Sequence, residues 1–240
     1  MPDHLKNENY RNSATILAVD TATSDCSVAL ADPGGTIAEL NYAGRQTHAK
    51  HLAAMVDRLL EQADVTLDQV AAFAVDAGPG TFTGLRIGMA AVKGLAAAVG
   101  KPAVGVSSLY ALASQVTHTS GQICCLLDAR RGEVYAAHYT VQEGEIAKLT
   151  GEAVLAPQAA VARVDGPCLY IGSGAVAYRD IIADQAGQKA RFAAGDENQI
   201  RAASIARLGL QKLAAGDPGH VMALVPNYIR RSDAEYNKMR

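Results

Sequence analysis

Little in this chain advertises chemistry of its own. Basic charge is not in excess: 22 lysines and arginines stand against 24 aspartates and glutamates, for a formal net charge of −2. No global field therefore draws it to nucleic acid or to an anionic membrane, and any contact with RNA must be local or shared with a partner. The four cysteines, Cys26, Cys124, Cys125 and Cys168, contain no Cys-x-x-Cys pair. Cys124 and Cys125, neighbours on one strand, would face opposite sides of it, so buried free thiols are expected. A Gly-x-Ser-x-Gly elbow and a Walker-type lysine loop are both missing, which leaves nucleophilic catalysis without support. Residues 1–14 are polar, without the apolar core of a signal peptide, and no apolar run is long and unbroken enough for a membrane span. A cytoplasmic protein, free of membrane, is expected.

What the chain does have is length and apolar content. Its 240 residues, 49% apolar, suffice for one large domain or two small lobes. Residues 15–20, 26–31 and 36–40 read as a meander of three strands, separated by a polar turn and by Asp32-Pro33-Gly34-Gly35. Thr47 is placed to cap a helix running to about residue 63, and Thr66-Leu67-Asp68-Gln69 matches a capping box. Residues 71–75 form a strand that feeds Gly78-Pro79-Gly80-Thr81-Phe82-Thr83-Gly84. That glycine turn opens a helix over 85–99, ended by Gly100 and Pro102. A strand over 103–106 and a helix over 109–116 follow.

The second half opens like the first. Residues 123–128, the turn Ala129-Arg130-Arg131-Gly132 and residues 133–139 again give strand, Asp-ended turn and strand, which predicts an internal duplication with Asp20 and Asp128 in matching places. Residues 169–171 run into Gly172-Ser173-Gly174 and a helix, and a last helix covers 202–214. Two lobes suit this order better than one parallel sheet. They are expected over residues 14–110 and 111–225, with a disordered or extended segment at 1–13 and a tail at 226–240.

Three constellations leave alternatives open. Asp20-Thr21-Ala22-Thr23-Ser24 puts a carboxylate and three hydroxyls in one turn. Such a turn either holds a phosphate and its magnesium, or uses those side chains to satisfy its own backbone. His48 and His51, three apart on a helix, could share a metal, but no third ligand has suitable spacing and surface histidines are the simpler reading. The helices over 47–63 and 85–99 carry broad apolar faces, and Gly88, Ala91, Gly94, Ala97 and Ala98 keep the second one thin. Those faces serve either ordinary burial or a partner protein.

Five segments in this order resemble the TsaB (YeaZ) family. They are Ile16-Leu17-Ala18-Val19-Asp20-Thr21-Ala22-Thr23 with Cys26-Ser27-Val28-Ala29-Leu30; Gly78-Pro79-Gly80-Thr81-Phe82-Thr83-Gly84-Leu85-Arg86-Ile87-Gly88; Gly105-Val106-Ser107-Ser108-Leu109; Asp128-Ala129-Arg130-Arg131-Gly132-Glu133-Val134-Tyr135; and Pro226-Asn227-Tyr228-Ile229-Arg230. Together they reach across nearly the whole chain. The resemblance implies an α/β protein of the actin-like ATPase (ASKHA / ribonuclease H-like) fold, with two related lobes of mixed sheets flanked by helices.

It also implies a part in making N6-threonylcarbamoyladenosine at position 37 of tRNA. In that pathway TsaC makes threonylcarbamoyl-adenylate, TsaD transfers the group and the ATPase TsaE resets the complex. A TsaB-like chain is then the noncatalytic partner of TsaD, a homodimer when alone, which reaches tRNA through the complex. The implied contact residues are His48, Leu52, Met55, Val56 and Leu59 on the first helix, and Met89, Ala91, Val92, Lys93 and Ala96 on the second. Nucleotide-binding residues would be Asp20, Thr21, Thr23 and Ser24. No cofactor is required by this role, weak binding of ATP, ADP or Mg²⁺ aside, and no metal ligands are expected.

The related TsaD family carries Gly-Val-x-His-x-x-x-His, whereas Gly105-Val106 here leads to Ser108 and Leu112, neither of which replaces imidazole on a metal. The alternative is a stand-alone nucleotide-binding ATPase, acyltransferase or peptidase-like enzyme. Arg230-Arg231 reads either as a contact for tRNA or TsaE, or as a solvated chain end.

Overall fold

The computed structural model describes residues 15–44 and 48–230, with residues 48 and 49 as helical backbone only. Expectations for residues 1–14, for the Thr47 cap and for the chain beyond residue 230 lie outside the described residues. Two compact units are present. The first draws on Met1–Gly78, Thr83–Ser107 and Arg201–Pro226, and the second on Pro79–Phe82, Ser108–Ile200 and Asn227–Arg240.

The first unit opens with the predicted meander, β1 (Ile16–Asp20), β2 (Asp25–Asp32) and β3 (Gly35–Ala43), all antiparallel. The side chain of Asp32 holds the second turn by accepting the Gly34 N–H at 2.7 Å. β1 is buried along its whole length, as expected of a strand covered on both faces. The helix α1 (His48–Ala63) crosses over, and the capping box yields only a single 3-10 turn at Leu67–Gln69. β4 (Ala72–Gly78) lies parallel to β1, α2 (Phe82–Val99) follows, and β5 (Ala103–Ser107) lies parallel to β4. Gly100 ends α2 at φ 64°, the left-handed residue expected there.

Leu17, Val19, Val28 and Leu30 of the sheet, Leu52, Val56 and Leu59 of α1, and Met89, Val92 and Ala96 of α2 form one core. Among the described residues α2 is the helix long and apolar enough to cross a membrane by length and composition. Its buried side chains pack instead into this core.

The second unit begins with α3 (Ser108–Gln115), then β6 (Gly121–Arg130), β7 (Glu133–Gln142), β8 (Glu145–Lys148) and β9 (Ala153–Leu155). The helix α4 (Pro157–Val161), β10 (Cys168–Ile171), α5 (Ser173–Ala177), α6 (Arg179–Ala186) and β11 (Ala190–Phe192) complete it. The sheet orders are β3-β2-β1-β4-β5 and β8-β7-β6-β10-β11, the second with β9 added beside β7. In each, an antiparallel three-strand meander continues into two parallel strands. The expected duplication is therefore a duplication of topology.

One boundary needs correction. Helix α7 (Ala202–Ala214) was expected in a second lobe over 111–225, but it returns to the first unit and packs on β1, β2 and β4. Gly209 permits the approach, since a Cβ there would lie 2.8 Å from Ala74 Cβ and 2.9 Å from Ile16 Cδ1. The start of α7 is held by the sheet. The Glu39 carboxylate on β3 accepts Arg201 Nε at 2.9 Å and the Ala203 N–H at 3.0 Å, and Ser27 Oγ accepts the Ala202 N–H at 3.0 Å. Arg201 offers no cap of its own, so two strand residues satisfy the first helical amides.

Glu39→Ala removes a carboxylate whose side chain is only 8% exposed, and leaves Arg201 and one helix amide, that of Ala203, short of an acceptor. A loss of about 2–3 kcal/mol is expected, read as a lower urea midpoint with α7 exchanging its amides faster than the rest of the unit.

Candidate functional site

The sequence pointed to the turn after β1, and its atoms are already engaged. Asp20 is fully buried, and its Oδ1 accepts the Ala22 N–H at 2.8 Å. The Thr21 hydroxyl donates to the Gly84 carbonyl at 2.8 Å, and Thr23 Oγ1 accepts the Asp25 N–H at 3.4 Å. Ser24 is exposed. Of the two readings left open, local backbone satisfaction is the one these contacts display. Asp20 Oδ1, the Thr21 hydroxyl and Thr23 Oγ1 are thus each already engaged, and what they engage is backbone.

A second carboxyl, unremarked in the sequence, meets Asp20. Val19 pairs with Val75 across β1 and β4, so Asp76 lies in the next register position. Asp76 is 1% exposed, and its Oδ1 accepts the Gly78 N–H at 2.7 Å. Burial first, and then the neighbouring Asp76 carboxyl, raise the Asp20 pKa well above the usual carboxylate range. One polar residue in the apolar run Ala74-Val75-Asp76, opposite a strand ending in Asp20, was the signal for this pair.

The glycine turn brings α2 against this end of the sheet. Gly78 takes φ 103° beside a bulge in the β4–β5 pairing, and the Gly84 carbonyl in the first turn of α2 receives the Thr21 hydroxyl. A Cβ on Gly88 would lie 2.4 Å from Thr21 Oγ1, inside van der Waals contact with a buried, bonded atom. The glycines thus serve a close helix crossing.

The matching turn in the second unit repeats the device. Asp128 Oδ1 accepts the Arg130 N–H at 2.8 Å and the Tyr178 hydroxyl at 3.2 Å, and the Asp128 N–H donates to Ser173 Oγ at 3.1 Å. Unlike Asp20, Asp128 is exposed. The glycines after β10 face inward: a Cβ on Gly172 would meet the Leu126 carbonyl oxygen at 2.3 Å, and one on Gly174 would meet Leu126 at 3.0 Å. They let α5 lie on β6 and offer no open cradle.

The expected partner residues divide unequally. Leu52, Val56, Leu59, Met89, Val92 and Ala96 lie inside the first unit's own core, and Met55 and Ala91 pack partly buried against it. Lys93 is half-buried, and the side chain of His48 lies outside the described residues. Apolar periodicity marked the inward faces of both helices. The outward faces carry Ala53 and Ala54 on α1 and Ala90, Gly94, Ala97 and Ala98 on α2, all exposed.

The remaining candidates are structural. The His51 ring stacks on Tyr42 with centroids 4.4 Å apart, and among the described residues no three His, Cys, Asp or Glu side chains converge to hold a metal. All four cysteines are free and buried. Cys124 Sγ lies 3.4 Å from His138 Nε2, which also contacts the Ala160 carbonyl at 3.0 Å. Burial pushes this thiol up and this imidazole down, so both are held neutral.

Two measurements check this geometry. Gly88→Ala should lose about 1–3 kcal/mol, and combining it with Thr21→Ala should cost clearly less than the sum of the two, because the second change removes the clashing oxygen. Strict additivity would mean that α2 does not cross there. The carboxyl pair predicts a pH effect of defined sign. Native Asp20 keeps its proton to higher pH than the ~3.9 of an unfolded aspartate, so the folded state binds more protons and this group's contribution falls as pH rises from about 4 through the raised native value. In Asp20→Asn the amide oxygen can still accept the Ala22 N–H and carries no charge. The variant's urea midpoint should gain on wild type between pH 4 and pH 8, and parallel curves would refute the shared burial of charge.

The comparisons with known proteins agree with this architecture. Residues 29–238 match the family described as TsaD: tRNA N6-adenosine threonylcarbamoyltransferase. The tRNA threonylcarbamoyladenosine biosynthesis protein TsaB of Bacillus subtilis (strain 168) is 32% identical over 224 residues, covering 92% of this chain and 96% of that protein. TsaB of Escherichia coli (strain K12) is 37% identical over 173 residues, covering 69% of this chain and 74% of that protein.

Among solved structures, a Pseudomonas aeruginosa protein described as uncharacterized, with similarity to peptidase YEAZ, superposes with a TM-score of 0.77 at 33% identity, over 90% of this chain and 100% of that one. Component A of (R)-2-hydroxyglutaryl-CoA dehydratase from Acidaminococcus fermentans, at 11% identity and a TM-score of 0.53, covers 84% of this chain and 100% of its own and shares the fold alone. The fold is the expected actin-like ATPase fold, built from two repeated mixed sheets. By sequence across its length, and by superposition on YeaZ structures, the chain belongs to the TsaB family of tRNA threonylcarbamoyladenosine biosynthesis proteins.

Proposed function

We propose that this chain is a noncatalytic partner of a TsaD protein in the threonylcarbamoylation of tRNA adenosine 37. The observation that carries the reading lies at the start of α3. Ser108 and Leu112 occupy the two positions where the TsaD motif has histidines, and both are wholly buried. Neither side chain supplies the imidazole that the motif's metal site uses.

The partner surface is the outward side of α2, supplemented by α1. Along α2 the exposed residues Ala90, Gly94, Ala97 and Ala98 are small and apolar, and a Cβ on Gly94 would meet nothing within 4 Å. Such a face permits close helix packing by a second protein, either TsaD or another copy of this chain. Ala90→Glu should leave the isolated protein folded and lower its affinity for TsaD by about thirtyfold or more, equivalent to about 2 kcal/mol. Unchanged co-purification with TsaD would move the interface elsewhere.

Nucleotide at Asp20 is not needed in this role, given that Asp20 is buried against Asp76 and the neighbouring hydroxyls bind backbone. TsaE and tRNA are reached through the complex. Four buried free thiols suit a reducing, cytoplasmic setting. The competing reading, an ATPase, acyltransferase or peptidase acting alone, draws on the peptidase likeness noted for one relative. Reconstitution of tRNA modification with TsaC, TsaD and TsaE, with and without this chain, separates the two. Modification should require the chain, and steady turnover by the chain alone, lost in Asp20→Ala, would overturn the proposal.

A further inference from the structure

We infer that His138 is a proton-operated splice: neutral and protonated at Nε2, it holds the break between β8 and β9, and a second proton at Nδ1 loosens residues 149–152 and, through Glu152, the hold on Asn227. The inference is independent of the partner proposed above.

β8 and β9 lie end to end along one edge of β7, where Tyr139 pairs with Lys148 and Ala136 with Ala153. Residues 149–152 between them leave His138 opposite no strand. Its carbonyl accepts the Leu149 N–H at 2.8 Å and the Thr150 N–H at 3.3 Å, and its own N–H donates to Thr150 Oγ1 at 3.1 Å. A side-chain oxygen thus stands in for a strand carbonyl.

The ring closes the same gap. His138 is 3% exposed and lies opposite Cys124 in the β6–β7 register. Nδ1 is 3.1 Å from Thr150 Oγ1, and Nε2 is 3.0 Å from the Ala160 carbonyl of α4 and 3.4 Å from Cys124 Sγ. These contacts assign the tautomer. A carbonyl can only accept, so the ring proton sits on Nε2, and the bare Nδ1 takes the Thr150 hydroxyl proton. Thr150 Oγ1 then accepts from the backbone of His138 and donates to its ring.

A proton added at Nδ1 removes the acceptor of that hydroxyl and sets two N–H donors against one oxygen. It also brings a charge that its surroundings do not offset. β6 presents the Cys124 thiol, with Cys168 and Tyr170 of β10 beyond it, all held neutral by burial. Arg163, after α4, adds like charge, and Lys148 and Glu152 on the loop side lie 3.7 Å apart as a pair of their own. Burial first, opposed by the Ala160 bond and aided by Arg163, holds the imidazole below the ordinary histidine range. Below about pH 6.5 the folded chain therefore binds fewer protons than the unfolded one, so the splice is whole above that pH and is lost as pH falls. Glu152 carries the change onward, because its Oε2 accepts Asn227 Nδ2 at 2.9 Å.

The test uses the full chain, labelled for magnetic resonance. At about pH 7.5 the imidazole correlations should show Nε2 protonated and Nδ1 bare. Amide exchange, corrected for the intrinsic effect of pH, should show about tenfold or greater loss of protection at His138, Leu149 and Thr150 between about pH 7.5 and about pH 5, while the amides paired between β6 and β10 keep theirs. The Asn227 side-chain amide signals should move over the same range. In Thr150→Val, which keeps the side-chain shape, the three amides should already be weakly protected at about pH 7.5 and change less than about threefold with pH. His138→Gln should likewise abolish the pH step.

An Nδ1–H tautomer, or wild-type protection that ignores pH, would overturn the inference whether or not the variants fold. A full-sized pH step in either variant would place the sensitive group elsewhere and overturn it too. Asn227 signals that stay fixed while the other amides respond would overturn the link through Glu152.

Discussion

The crossing of α2 over the end of β1 is the constraint on which the first unit turns. Thr21 gives its hydroxyl to the Gly84 carbonyl, and Gly88 passes so near that no side chain fits between. Once that approach is fixed, Met89, Val92 and Ala96 fall into the core and the alanines at 90, 97 and 98 are turned to solvent. A glycine-rich loop after a strand invites a phosphate-binding reading. Here the Gly84 carbonyl accepts a hydrogen bond from Thr21 beside the strand end, and the lack of side chains brings two pieces of backbone together.

Most of the secondary structure was legible because it rests on local signals. The apolar run before Asp20, the left-handed Gly100 and the periodic stripe of 202–214 each declare themselves within a few residues. The return of α7 was not legible, because its anchor, Glu39, lies 162 residues before Arg201 and nothing near either residue names the other. The short β8, β9 and α4 also escaped, being too brief for a period to show. For the helix faces, periodicity found the apolar side correctly and could not say that the buried side is inward by definition. The Asp20–Asp76 pair needed strand register, which a single chain does not supply.

The two repeated sheets show how one local device diverges after duplication. Asp20 at the end of β1 and Asp128, two residues before the end of β6, each accept the amide two residues on, at 2.8 Å in both units. In the first unit that aspartate is buried against a second carboxyl and held protonated to unusually high pH. In the second it stays exposed, with Tyr178 and Ser173 as neighbours. The shared turn geometry survives because the backbone needs it.

The Glu39 clamp also bears on how the protein is made. The first sheet emerges early from the ribosome, yet the helix that covers Ile16, Ala74 and Val104 is encoded after residues 108–200 of the second unit. Until residue 214 has been synthesised, one face of that sheet has no cover from its own chain. The second unit's residues 108–200 precede that helix in the chain. The first sheet is thus left waiting for a helix from near the far end of the chain, and the nascent protein is most exposed to aggregation and to chaperones in that interval.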